Sequence, residues 1–149
     1  MLALSRIGIA LPAVEAFVEK GRVRSFARAI GETHPMYSQE DAAQAAGHSC
    51  LPVPPTYLFC LEMMDSERPL AWLEDLGVNL LHILHAEQRF EYERVAVAGD
   101  TLTFLSTLKN AFEKKNGALQ FYVKQTQVSD QHSRRVASLT TTVAVRKPV

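Results

Sequence analysis

Residues 25–61, SFARAIGETHPMYSQEDAAQAAGHSCLPVPPTYLFCL, decide the fold. They read as three pieces: the end of an amphipathic helix, a polar elbow, and a second helix announced by Pro54 and Pro55. Val23, Phe26, Ala27 and Ile30 fall at i, i+3, i+4 and i+7, one apolar face of a helix over 20–30. Gly31 follows, where a helix C-terminus favours a residue free to take positive φ. The elbow Glu32-Thr33-His34-Pro35-Met36-Tyr37 then gathers an acid, a hydroxyl, an imidazole and a phenol. Ser38 is a good N-cap for a short alanine-rich helix over 41–46, with Glu40 and Asp41 where the helix dipole favours acids. Leu51-Pro52-Val53-Pro54-Pro55 is extended, because each proline removes a donor and restricts its predecessor. Pro55 is tolerated in a first helical turn, so the next helix covers 57–64. That helix is apolar on nearly every side, with Glu62 its lone carboxylate, and has to be wrapped by other structure.

Working outward, residues 13–18 read as a short strand, and 65–75 as a loop or short helix over the core edge. From Leu80 the period changes to two. Ala86, Gln88, Phe90 and Tyr92 mark one face of a strand, and Ala98-Gly99-Asp100 turns the chain. Leu102, Phe104, Ser106 and Leu108 alternate along a second strand, ended by the hairpin signal Lys114-Lys115-Asn116-Gly117. Leu119, Phe121 and Val123 define a face of the third. After a turn at 129–133, Ala137, Leu139, Thr141, Val143 and Val145 define a fourth, stopped by Arg146-Lys147-Pro148. Helices fill the first half and an antiparallel meander the second. The expectation is an α+β layer fold in which the sheet wraps the apolar helix, its free edge covered by a second such domain.

At 149 residues the chain reads as one domain over 1–149. Lys+Arg and Asp+Glu both number 16, so there is no positive surplus to neutralise phosphates and nucleic acid is not an expected partner. No stretch is long enough to span a bilayer, and the start lacks a signal-peptide pattern. Cys50 and Cys60 lack metal-ligand spacing and read as reduced, buried thiols of a cytoplasmic protein.

FARAIGETHPMYSQEDAAQAAG, VPPTYLF and HAEQRFEYERVAVAGDTL together resemble the MaoC-like dehydratases of the hot-dog superfamily. More narrowly, they resemble the N-terminal FAS1-like dehydratase half-domain, across about residues 13–145. The resemblance implies a hot-dog fold that dimerises, and (R)-specific hydration of a 2-enoyl thioester or dehydration of a 3-hydroxyacyl one. It implies no cofactor, the substrate being carried on CoA or acyl carrier protein. In catalytic members the elbow reads Gly-Asp-x-Asn-Pro-x-His, and the aspartate and histidine hold the water that adds across C2–C3. Here Gly31 and Pro35 match, Glu32 stands for the aspartate, His34 for the asparagine and Tyr37 for the histidine. The chemistry needs an acid and a base beside C2–C3 and donors for the thioester oxygen. By resemblance, Glu32, His34 and Tyr37 are the catalytic candidates. Pro55, Thr56 and Tyr57 mark the oxygen site, with the N–H groups of Thr56 and Tyr57 as donors. Phe59 and Met63 would line the acyl tunnel.

Two alternatives stand beside this reading. One is a non-catalytic acyl-binding subunit of a heterodimeric dehydratase, degenerate at the elbow. The other is a hot-dog acyl-CoA thioesterase using Glu62 as nucleophile or base, set against a Glu62 that merely pairs with Arg89 or Arg94 or reaches a dimer seam. The expected partners are an acyl thioester and a second hot-dog subunit, as homodimer or heterodimer.

Overall fold

The structure, a computed structural model, describes residues 4–146. The elements are β1 (Val14–Phe17), α1 (Lys20–Ala29), α2 (Glu40–Ala45), α3 (Tyr57–Asp65), α4 (Ala71–Glu74), β2 (Ile83–Tyr92), β3 (Thr101–Lys114), β4 (Leu119–Ser129) and β5 (Arg135–Arg146). A 3-10 turn, Pro35–Tyr37, lies between α1 and α2. All strand pairs are antiparallel, and the sheet order is β1-β3-β4-β5-β2. Leu58 and Leu61 of α3 share one core with Leu102, Phe104, Val128 and Leu139 from the sheet. The sheet curls around α3, which is the hot-dog arrangement. A second cluster at one end joins Trp72 and Leu73 of α4 to Leu108, Tyr122 and Val143.

Bulges govern which side chains face α3. In β2, His85 pairs with Val143 and Glu87 with Thr142, so Ala86 is the extra residue and the alternation shifts there. His85, Gln88 and Phe90 therefore share the inner face, and Ala86 does not belong to the face the alternation predicted. A second bulge between Leu108 and Asn110 keeps both Leu108 and Ala111 inside. The expected face of β4 is reversed. Gln120, Tyr122, Lys124, Thr126 and Val128 are buried, and Leu119, Phe121 and Val123 are half-covered on the outer side. Register dictates this, because Lys124 sits across from Thr141, which is buried on the same face of β5 as Leu139 and Val143. Phe121 stacks instead on Phe112 of β3, centroids 4.9 Å apart.

Other expectations need adjustment. Gln39, not Ser38, occupies the N-cap position of α2 and makes no side-chain capping bond, and Ser38 closes the preceding 3-10 turn. α3 is wrapped on one side only: Phe59, Cys60 and Met63 are half-buried and Met64 is 55% exposed. Cys50 and Cys60 are free thiols, each half-buried instead of sealed in the core. Burial pushes the Cys60 thiol up from its ordinary pKa. Lys147 and Pro148, expected to stop β5, lie outside the described residues.

Candidate functional site

Gly31, at φ +74°, ends α1 and turns the chain. Glu32 N–H then caps the helix by donating to Ala27 O at 2.9 Å. Two of the three candidate catalytic side chains of the elbow, Glu32 and His34, make local bonds. Glu32 Oε1 accepts His34 N–H at 2.8 Å, and His34 Nδ1 accepts Met36 N–H at 3.2 Å, capping the 3-10 turn that Pro35 starts. Arg24 Nε donates to Ser38 O at 2.9 Å and ties the elbow to α1. Glu32 and His34 are exposed and Tyr37 is half-buried. Burial, and then the Glu32 carboxylate, raise the Tyr37 phenol, so it stays protonated and can donate a hydrogen bond, with less phenolate available at neutral pH than an ordinary tyrosine has. An imidazole whose Nδ1 accepts an N–H carries its proton on Nε2, so His34 presents a donor to solvent.

The proline-marked tip of α3 lies beside the elbow. Tyr92, at the end of β2, donates its hydroxyl to Pro55 O in a short bond. Burial raises the Tyr92 phenol above its ordinary range, and neighbouring Tyr37 adds to the shift. Elbow, β2 and tip thus meet at Tyr37, Tyr92 and Pro55. Pro55 and Thr56 are exposed, whereas Tyr57 is buried with its ring 4.7 Å from that of Phe26. Of the two expected donors for a thioester oxygen, Tyr57 N–H is engaged by Pro54 O at 2.9 Å. Among the described residues Thr56 N–H has no such backbone acceptor.

Farther along α3 the expected acyl-lining residues separate. Phe59 packs on the His85 ring at 4.7 Å, and His85 Nε2 lies 3.1 Å from Gln88 Oε1. Met63 instead lines a cavity of about 510 Å³ bounded by residues 11–15, the C-terminal half of α3 and α4. Neither described cavity includes Glu32, His34, Tyr37 or Thr56. Residues 32–35 of the elbow are exposed in the single chain, and Met36 and Tyr37 are half-buried.

Glu62 is 4% exposed and paired, but not with the arginines expected. Its partner is Lys124, Nζ to Oε1 2.5 Å, with Ser106 Oγ at 3.1 Å and Thr126 Oγ1 at 3.5 Å from the same oxygen. Arg89 turns to Glu91 along β2, and Arg94, beyond the end of that strand, donates to Arg135 O. Lys124, Ser106, Trp72 and Tyr92 went unmarked as site residues in the sequence. The available signal was a lysine inside the run Phe121-Tyr122-Val123-Lys124-Gln125-Thr126, facing a helix with one carboxylate.

The model of the family described as "FAS1-like, dehydratase domain region" matches residues 5–139. A UPF0336 protein of Clavibacter michiganensis subsp. michiganensis is 34% identical over 140 residues, covering 93% of this chain and 92% of that protein. Among solved structures, a MaoC-like dehydratase superposes with TM-score 0.84 at 27% identity, over 96% of this chain and 43% of that one. C-terminally truncated HadBC, a 3R-hydroxyacyl-ACP dehydratase complex from Mycobacterium tuberculosis, gives TM-score 0.80 at 23% identity, over 93% and 96%.

Proposed function

The chain belongs to the FAS1-like dehydratase family of hot-dog proteins, and from that premise we propose that it is the acyl-thioester-holding subunit of a two-chain dehydratase. The observation that carries this reading is the state of the elbow. Hydration of a 2-enoyl thioester needs a base for water and an acid for the α-carbon, both held at one C2–C3 bond. Here Glu32 and His34 brace the elbow backbone one against the other, and the one ring nitrogen of His34 able to accept already does so. Tyr37 is a phenol with a raised pKa. The set supplies donors and shape, not a matched acid–base pair.

A partner subunit would supply the missing pair, and the geometry supports where it would sit. β2 is an edge strand, and among the described residues no strand pairs with its outer side. Leu81 and Leu84 are 89% and 71% exposed there. A strand docked along β2 would close over Tyr92, Pro55 and the elbow, turning the exposed residues into a walled site. The solved neighbour described as a dehydratase complex is consistent with such pairing.

The test is hydration of crotonyl-CoA and of longer 2-enoyl thioesters by the purified chain, alone and mixed with a hydratase-like hot-dog protein that keeps the Asp/His pair. No turnover alone, turnover with the partner, and a change under about threefold in Glu32→Ala within the mixture are expected. Hydration by the chain alone, abolished by Glu32→Ala or His34→Ala, would replace this reading with a self-sufficient hydratase. Release of free CoA thiol, lost in Glu62→Ala, would replace it with a thioesterase.

A further inference from the structure

The cavity of about 510 Å³ beside the C-terminal half of α3 falls in the range of about 300–1,000 Å³ typical of small-molecule pockets. Its floor is a buried ion pair, Glu62 and Lys124, each only 4% exposed. Glu62 Oε1 takes the hydrogen bonds of Lys124, Ser106 and Thr126. Glu62 Oε2 is buried without a partner. A buried carboxylate oxygen lacking a donor carries a desolvation penalty that an incoming donor relieves, and a charged donor relieves it most.

The whole lining sets the charge of that donor. Five carboxylates line the cavity, Glu15, Glu62, Asp65, Glu67 and Asp75, against two cations, Arg68 and Lys124. Lys124 neutralises Glu62, Arg22 takes Asp65 at 2.6 Å, and Glu74 takes Arg68 at 2.8 Å. With Arg22 and Glu74 counted, six carboxylates face three cations, an excess of three negative charges. That excess sits on Glu15, Glu67 and Asp75, which are exposed and, among the described residues, form no ion pair. Among the described residues no three His, Cys, Asp or Glu side chains converge to hold a metal ion. Negative charge spread from a buried floor to an exposed rim suits an extended cation with its own N–H donors. We propose that the cavity binds a short aliphatic diammonium, one end donating to Glu62 Oε2 and the other held by Glu15, Glu67 and Asp75. Glu62 meets it by turning its carboxyl, a torsion with a broad energy well, while Oε1 keeps Lys124. The ligand's ammonium and Lys124 repel one another across Glu62, and the excess charge of the rim offsets that repulsion. Trp72 lines the same cavity, and Lys124 Nζ, 6.0 Å from its ring centroid, shows the indole accepting a cation over its face. The site is separate from the elbow and does not rest on the dehydratase reading.

The test titrates the full chain at pH 7 and fixed ionic strength with 1,4-diaminobutane, butylamine, 4-amino-1-butanol and MgCl2. Calorimetry and the fluorescence of Trp72, the chain's single tryptophan, read the binding. Saturable binding of the diamine is expected, about tenfold tighter than either monoamine. MgCl2 should displace it no better than NaCl of the same ionic strength. Glu15→Gln/Glu67→Gln/Asp75→Asn alters three exposed sites, keeps the fold, and should bring the diamine down to the level of butylamine. Glu62→Met/Lys124→Met removes the floor pair without stranding one buried charge, and there the diamine and 4-amino-1-butanol should bind alike. The proposal is overturned by the absence of saturable binding, by 4-amino-1-butanol as tight as the diamine in the unaltered chain, by specific displacement with MgCl2, or by full affinity in either variant. Should the double variant not fold, the ratio of diamine to amino alcohol in the unaltered chain decides alone, since the two differ only at one end. No thioester or partner enters the measurement, so its outcome is distinct from that of the hydration assay.

Discussion

Asp130 fixes the turn between β4 and β5 by accepting three bonds on one carboxylate. Oδ1 accepts the N–H groups of His132 at 2.9 Å and Arg134 at 3.0 Å, and Oδ2 accepts Arg134 Nε at 2.8 Å. These hold Ser133 at φ +58°, a conformation a serine reaches only under such constraint. Burial by itself raises the carboxyl, but the two backbone donors and the Arg134 guanidinium outweigh it, and the net shift is downward. A carboxyl depressed in the folded state contributes stability at pH above its unfolded value of about 3.9, lost as pH falls through the folded value. Arg134 is largely solvated, so the backbone donors carry most of the effect. Asp130→Ala is expected to cost about 1–3 kcal/mol at neutral pH. It should also flatten the acid limb of the stability curve below about pH 4, where the native chain loses what the variant never had. Thermal melts from pH 7 to pH 2 check both; an acid limb as steep as the native one would remove Asp130 from the account.

At the scale of elements, the tip of α3 shows why part of the site was legible and part was not. Tyr92 belongs to a strand and Pro55 to the lead-in of a helix, so their bond exists only once β2 lies over that lead-in. Tyr92→Phe should lower stability by about 1 kcal/mol, a Tm change of about 2–4 °C for a chain of this size. Amide exchange at Tyr57, whose N–H bonds Pro54 O, should quicken if the tip loosens; unchanged exchange would mean that Pro54 and Pro55 hold it unaided. The strands themselves could be read from alternation, and α1 from its 3.6 period with Gly31 behind it. The elbow could be read too, since its groups lie within six residues and their spacing to Pro35 is fixed by the chain. What period counting misses is phase. Leu119, Phe121 and Val123 are more apolar than Gln120, Lys124 and Thr126, yet the polar set faces α3, because cross-strand register, not composition, sets the inner side. The bulge at Ala86 defeats alternation in the same way. Glu62 and Lys124 are 62 residues apart, so no local pattern could pair them.

For the molecule as a whole, the question is what the unpartnered side of α3 and the outer edge of β2 meet. The formal net charge is zero, so association cannot lean on a long-range opposite-sign field and must rest on short-range contacts. Leu81, Leu84 and Met64 lie exposed along β2 and the uncovered side of α3, beside ladder groups that among the described residues have no strand to bond. Such an edge in a native protein is either blunted or occupied. β2 carries Glu87, Arg89 and Glu91, of which the last two neutralise each other across 2.9 Å, and all three lie beyond the bulge, which leaves the Leu81–Leu84 end bare. Leu84→Lys tests the edge with little harm to the fold. The side chain is 71% exposed, and a surface substitution of that kind changes stability by about 0.5 kcal/mol or less. An added charge on the edge should still block strand addition. Sedimentation of the chain, alone and mixed with a hydratase-like hot-dog protein, should show the native edge in a complex and the variant as a monomer with an unaltered circular-dichroism spectrum. Association that survives Leu84→Lys would move the interface to the β1 edge, and the elbow would then lie outside any seam.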